Sequence, residues 1–180
     1  MQNKETAFKN LFEQQKNRVY NTVLSLLQNA ADAEDVTQEV FVKVFEELEQ
    51  FRGDAQLQTW IYRIAVNKSL DFLRAQKAKK RSGILVRLFG DEKTDKVLEI
   101  PDFIHPGVIL ERKEQSIILF KAIDKLPETQ KSAFVLAKLE GLSYVEIAAV
   151  LKITVPSVES LLFRARVNLK KFLVDFENEL

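Results

Sequence analysis

Cysteine is absent from this 180-residue chain, and its one histidine, His105, stands between Ile104 and Pro106. Without cysteine there is neither a disulfide framework nor a thiolate metal site. The carboxylates are plentiful, but none has a His-Glu metal spacing or a paired glycosidase-like setting. No apolar run approaches the ~18 residues of a membrane span. The opening residues lead straight into an amphipathic pattern, so no signal-peptide core is expected. Glycine and proline are scarce, at five and four residues. The periodicity is helical throughout, so no Gly-rich phosphate loop follows a strand. Excess charge of either sign is lacking too: 27 basic residues stand against 26 acidic, for a net charge of +1. Free-standing nucleic-acid-binding domains often have a pI above ~9, whereas this chain has a pI near 7.8. If it binds DNA, it borrows affinity from a partner. These absences argue against an enzyme, a metal and a cofactor.

What is present is charge that has been sorted. From Asp32 to Asp54 there are eight acidic residues against two basic ones, and from Arg63 to Arg81 seven basic against one acidic. Between them lies Phe51-Arg52-Gly53-Asp54-Ala55-Gln56-Leu57-Gln58-Thr59-Trp60-Ile61-Tyr62-Arg63. A basic helix beside aromatic and amide groups suits single-stranded nucleic acid, because charge tracks phosphate and rings stack on bases. An acidic helix with an apolar stripe suits a protein partner. Each feature also has a plainer explanation: a solvated helix face for the acids, a macrodipole-matched helix end for Lys77 to Arg81, and core for Trp60 and Tyr62. Those two rings cannot share one helix face, so the main stripe is expected to bury at most one of them.

The spacing predicts an all-α protein of two small helical domains joined by a flexible linker. Phe8, Leu11, Phe12, Val19, Tyr20, Val23 and Leu27 mark a first helix or helix pair. Val36, Val40, Phe41, Val44, Phe45 and Leu48 mark the next, and Arg52-Gly53-Asp54 breaks it. A third helix is expected from about Thr59 to the basic run ending at Arg81. Residues 5–81 form the first domain in this reading, 82–110 the linker and 111–176 the second domain. The linker contains three of the five glycines and an apolar patch from Ile84 to Phe89 that suggests docking. In the second domain Pro127 suits the first turn of a helix, and Gly141 stops that helix. Ser143 and Glu146 have capping-box spacing. Lys152-Ile153-Thr154 then separates a short helix from a longer one lined by Val158, Leu161, Leu162, Ala165, Leu169 and Phe172.

A short helix, a three-residue turn and a second amphipathic helix make a helix-turn-helix pattern, although an ordinary helical hairpin fits the same spacing. In a DNA reader the second helix enters the major groove with its first turns on base edges. Its exposed residues here would be Val155, Ser157, Glu159 and Ser160, with Arg164, Arg166, Lys170 and Lys171 following toward phosphates.

Several segments in this order carry a resemblance. Asp32-Ala33-Glu34-Asp35-Val36-Thr37-Gln38-Glu39-Val40-Phe41 is similar to a D-A-E-D-x-x-Q-E-x-F segment. Phe51-Arg52-Gly53 with Thr59-Trp60-Ile61-Tyr62-Arg63-Ile64-Ala65-x-Asn67 is similar to F-R-G…T-W-L-Y-R-I-A-x-N. Leu126-Pro127, Gly141-Leu142-Ser143-Tyr144-x-Glu146-Ile147-Ala148 and Arg164-Ala165-Arg166 complete the set. On these the chain resembles a bacterial alternative sigma factor of the extracytoplasmic-function (ECF) group, in the sigma-70 family.

The resemblance implies a region 2 domain that binds core RNA polymerase and the −10 element, and a region 4 domain that binds the −35 element. It implies polymerase contacts at Asp35, Gln38, Glu39, Phe41, Val42 and Phe45. Promoter opening would fall to Phe51, Arg52, Gln56, Gln58, Trp60, Tyr62, Arg63, Asn67, Lys68 and Arg74. The −35 contacts would be Ser143, Val155, Ser157, Glu159, Ser160, Arg164, Arg166 and Lys170. The chain departs from the family pattern at Glu159 and Leu161, where many members have Lys or Arg, but Glu can accept from cytosine N4. The implied partners are core polymerase, promoter DNA (duplex at −35, melted at −10) and an anti-sigma factor, in the cytoplasm, without membrane insertion, catalysis or cofactor. A stand-alone helix-turn-helix regulator and a purely structural adaptor remain as rivals at this point.

Overall fold

The computed structural model describes residues 2–51, 53, 56–87 and 113–178. Seven α-helices follow one another, with no strand among the described residues: α1 (Gln2–Leu27), α2 (Ala30–Glu47), α3 (Leu57–Arg87), α4 (Lys113–Asp124), α5 (Glu128–Lys138), α6 (Tyr144–Leu151) and α7 (Val155–Asn178). A single 3₁₀ turn, Leu48–Gln50, follows α2.

Between α1 and α2 the chain reverses within two residues. Gln28 takes a left-handed conformation, with φ of 55°. Asn29 then caps α2 by accepting from the Asp32 amide at 2.9 Å, which satisfies one of the donors a helix start leaves unpaired. The α1 stripe that left one helix or two open is therefore one continuous helix. Its Leu11, Val19, Val23 and Leu24 pack with Ala33, Val36, Val40, Phe41 and Val44 of α2 and with Trp60, Ile61, Ile64 and Ala65 of α3. Aromatic edges reinforce this three-helix core. Phe12 meets Phe41 at 4.7 Å and Phe8 meets Phe45 at 5.0 Å, both edge-on, a geometry that adds about 0.5–1.5 kcal/mol per pair.

Helix α3 starts at Leu57, two residues before the expected Thr59, and continues through Arg87. Residues 82–87, read from the sequence as the start of the linker, are therefore helical in backbone, including the first part of the apolar patch. The rest of that patch, and His105, lie outside the described residues.

In the second half, Ala122, Ile123 and Leu126 pack with Ala165 and Leu169 of α7. Pro127 sits one residue earlier than expected: it is the N-cap of α5, not part of its first turn. Helix α5 ends in a turn over a left-handed glycine. The Leu142 N–H reaches back to the Leu136 carbonyl at 3.0 Å across Gly141, whose φ of +70° a side chain would strain.

The two halves are not separate bodies. Leu26 of α1 and Tyr62 and Val66 of α3 belong to one buried cluster with Ala133 and Leu136 of α5, Ile147 of α6, and Val158 and Leu162 of α7. Trp60 and Tyr62 are consequently both buried, at 7% and 2% exposure. The main stripe buries only Trp60, as expected, and Tyr62 is buried because α3 has a second covered face. Trp60 lies in the core of its own domain, and Tyr62 lies under the other domain.

Candidate functional site

Three surfaces collect the residues singled out from the sequence. The first is the outer side of α2. Burying Val36, Val40 and Val44 inward turns Asp35, Gln38, Glu39 and Val42 outward, and all four are exposed. Val42 is 59% exposed, and Phe45 is partly exposed at its edge beside Phe8. Phe41, by contrast, is only 3% exposed and supports this surface from below through its packing on Phe12. Lys43 pairs with Glu47 at 2.8 Å and reaches Glu46 at 3.8 Å. The Glu47 hydrogen bond, followed by its charge, raises the Lys43 ammonium above its ordinary value. Glu39 also accepts from Lys68 of α3 at 2.9 Å, so the acidic helix and the basic helix are bridged at their shared edge.

The second surface surrounds the start of α3. Phe51 lies against Trp60, with ring centroids 5.2 Å apart. The Trp60 amide donates to the Gln56 carbonyl at 3.1 Å, which winds the first turn. Gln56 is exposed and Gln58 half-buried. Arg52 lies outside the described residues. Along α3, Arg63, Asn67, Lys68 and Arg74 form an exposed or half-exposed polar edge between the two covered faces. Arg74 is paired with Asp71 at 3.0 Å. Tyr62 is not on that edge. Its hydroxyl donates to Glu140 at 2.7 Å, and Gln58 Nε2 donates to Tyr62 Oη at 3.4 Å. Burial first, then the Glu140 charge, pushes the Tyr62 phenol well above its ordinary range.

The third surface is the α6–α7 pair. The Ser143–Glu146 capping box is complete: Glu146 N–H donates to Ser143 Oγ at 3.3 Å, and the Ser143 amide donates to Glu146 Oε2 at 2.8 Å. The same contacts, the Ser143 hydroxyl foremost, hold the Glu146 carboxyl below its usual range. Lys152, left-handed at φ 54°, closes α6. Thr154 Oγ1 accepts weakly from the Ser157 amide at 3.4 Å as α7 begins. With Val158, Leu162, Ala165 and Leu169 buried, Glu159, Ser160, Arg164, Arg166 and Lys170 all face outward, as does Ser157 at the start. Val155 is half-buried against the shared cluster. Arg164 Nε donates to its own helix at Ser160 O, 3.2 Å away.

Two residues that sequence reasoning passed over are prominent here. Phe163 is 67% exposed and lines an open hollow on α7 with Glu159, Ser160 and Arg164. The signal was available, since Phe163 falls off the apolar stripe of its helix and a large ring off the stripe has to face outward. Glu140 is the other; its two partners, Thr22 and Tyr62, are distant in sequence, and no local spacing reveals it. Among the described residues no cluster of three or more His, Asp or Glu side chains is placed to hold a metal, and no helix is long and apolar enough to cross a membrane.

An all-helical pair of domains, the second ending in a capped helix-turn-helix, defines the class of protein. Family models make it specific: sigma-70 region 2 matches residues 11–79, and sigma-70 region 4 matches residues 116–169. The ECF RNA polymerase sigma-E factor of Escherichia coli K12 is 37% identical over 152 residues, covering 83% of this chain and 79% of that protein. Its counterpart from Haemophilus influenzae is 36% identical over 166 residues, covering 92% and 86%. Among solved structures, the sigma factor RpoE in complex with the anti-sigma factor NepR from Bartonella quintana shares the fold at a TM-score of 0.68 and 22% identity, over 93% of this chain and 96% of that one. CnrH in complex with the cytosolic domain of CnrY shares it at 0.65 and 23%, over 95% and 90%. The chain belongs to the sigma-70 family, in its ECF group.

Proposed function

We propose that this chain is an alternative sigma factor. It binds core RNA polymerase, directs it to a subset of promoters and nucleates their melting, without itself being a catalyst. The observation that carries this reading is the arrangement within one small domain. An outward acidic-apolar face on α2 adjoins a basic edge on α3, bridged by Glu39 and Lys68, and a helix-turn-helix follows in the second domain.

On α2, Asp35, Gln38, Glu39, Val42 and the edge of Phe45 supply a mixed polar and apolar docking face for the polymerase, with Phe41 setting its shape from within. On α3, Arg63, Asn67, Lys68 and Arg74 track the displaced strand. Gln56 and Gln58 would read base edges, as would Arg52 by its position in the sequence, and Phe51, half-buried over Trp60, would offer the ring. Extruding a base costs a few kcal/mol, and aromatic stacking returns about 1–3 kcal/mol per base. One captured base can therefore hold an opening that the polymerase has begun. On α7, Ser157, Glu159, Ser160 and Arg164 face the major groove, with Arg166 and Lys170 toward phosphates. Ser143 sits at the α6 N-terminus, where backbone donors favour a phosphate. Phe163 joins this set, because an exposed ring among polar base readers suits the methyl group of thymine.

Near-neutral overall charge fits a protein whose DNA affinity comes largely from the polymerase. The solved sigma factor RpoE, in complex with the anti-sigma factor NepR, supports an inhibitory protein partner here too, and a cytoplasmic location follows from the polymerase partnership. The test is run-off transcription with purified bacterial core polymerase on randomised promoters. Initiation that depends on the chain, with two enriched elements, is the expected result. A chain that shifts duplex DNA alone but supports no initiation would instead be a stand-alone regulator.

A further inference from the structure

The polar contacts between the two domains reach Tyr62 and, through it, Gln58 of the segment proposed to open the promoter. Glu140, half-buried just after α5, accepts from two hydroxyls at once: Thr22 Oγ1 on α1 at 2.8 Å and Tyr62 Oη on α3 at 2.7 Å. Both donor residues are almost fully enclosed, at 0% and 2% exposure. Gln58, an amide in the opening segment, donates to the same Tyr62 oxygen. A hydrogen-bonded chain thus runs from Gln58 through Tyr62 to Glu140 and Thr22. Nearby, Lys77 of the basic run is paired with Glu128 of α5 at 2.5 Å. At the elbow after α1, Gln28 Nε2 donates to the Phe120 carbonyl at 2.9 Å. Beneath these bonds Tyr62 and Val66 lie in the cluster shared with Ala133, Leu136 and Ile147.

We infer that Glu140 is the bolt of a closed state, in which the second domain covers the Tyr62 face of α3, beside its exposed polar edge, and ties Gln58 and Lys77 into contacts that compete with DNA. This inference rests on the sigma-factor reading for its biological sense, but its geometry stands independently. Three features suit a reversible fastening. The acceptor is one charged side chain serving two neutral hydroxyls, and charge-assisted bonds of this kind are stronger than neutral ones. On opening, all three groups pass to water and none is left unsatisfied in a core. The competing ligands match what is displaced, since a phosphate can replace Glu128 at Lys77 and a base edge can replace Tyr62 at Gln58.

The absence of cysteine makes the test direct. Spin labels on Gln14→Cys and Lys171→Cys, both exposed positions on α1 and α7, report the inter-domain distance in the free full-length chain. Glu140→Ala removes the bolt. Glu140→Gln removes the same charge but keeps an acceptor, and Thr22→Val removes one donor with no change of charge. Affinity for a fluorescent single-stranded DNA of mixed sequence is measured on the same proteins, with helical content as the folding control. The expected result is a widened distance distribution and about tenfold tighter DNA binding for Glu140→Ala, with smaller changes for Glu140→Gln and Thr22→Val. The tenfold figure corresponds to a bolt that leaves the open form about one part in ten. Unchanged distances in both Glu140→Ala and Thr22→Val would overturn the assignment. So would wider distances with unaltered DNA binding, or equal DNA gains in Glu140→Ala and Glu140→Gln, which would reduce the effect to net charge. Failure of initiation in the run-off experiment would sink the sigma-factor reading alone, because the label distances judge the bolt without polymerase.

Discussion

At Ser143 the hydroxyl and the amide both meet Glu146 across the first turn of α6. Ser143→Ala is expected to cost about 1 kcal/mol, the usual value of an N-cap, read from urea denaturation. The acid dependence has a definite sign. Glu146 is held below its ordinary value of 4.5, so its contribution is whole above that pH and disappears as pH falls through the lower folded value. The stability gap between the parent and Ser143→Ala should therefore narrow only in that acid window. This cap was fully legible, because four adjacent residues contain both halves of the contact. Phe163 is equally local, but it lies off the apolar stripe by which the helical period marks α7. Phe163→Ala is expected to keep the parent's melting behaviour. It should relax base preference at one −35 position by about 1–3 kcal/mol, the scale of one mismatched pair, as measured by promoter selection with both proteins.

Helix α2 shows how one turn divides a core position from the face proposed for docking. Phe41 and Val42 are adjacent, yet one is enclosed and the other is among the most exposed apolar side chains described. Phe41→Ala is expected to cost about 3–5 kcal/mol in stability, the range for emptying an aromatic core site. Val42→Glu should stay within about 0.5 kcal/mol of the parent in denaturation while weakening association with core polymerase, as measured by co-sedimentation or surface binding. The helical period puts Phe41 on the apolar stripe and Val42 off it, as the structure has them, while the resemblance names both as polymerase contacts. Packing against Phe8 and Phe12 is what encloses Phe41. The bounds of α3 were less legible at both ends. Neither Gln58 nor the glycine at 83 halts a helix whose neighbours on both sides favour it, so propensity rules placed its start too late and its end too early.

For the molecule as a whole, the shared cluster couples the domains. Leu136 is fully buried in that cluster. Leu136→Ala is expected to lower stability by about 2–5 kcal/mol. The parent should melt in one calorimetric transition, with calorimetric and van't Hoff enthalpies in agreement. Two resolved transitions in the parent would contradict the coupling. This level was illegible in the sequence for a physical reason. Tyr62 meets Glu140 across 78 residues, and neither hydrophobic period nor turn chemistry encodes which of two apolar faces on one helix finds a distant partner. The two-domain division was readable, but the closure of one domain on the other was not.

Trp60 is the sole tryptophan of the chain, and it lies under Phe51 at the edge of the opening loop. Under the proposed function this makes Trp60 a built-in optical reporter beside the segment that would part the duplex. A base packing on Phe51 would shift the emission of the buried ring beneath it, so strand separation can be timed in real time on the unlabelled protein.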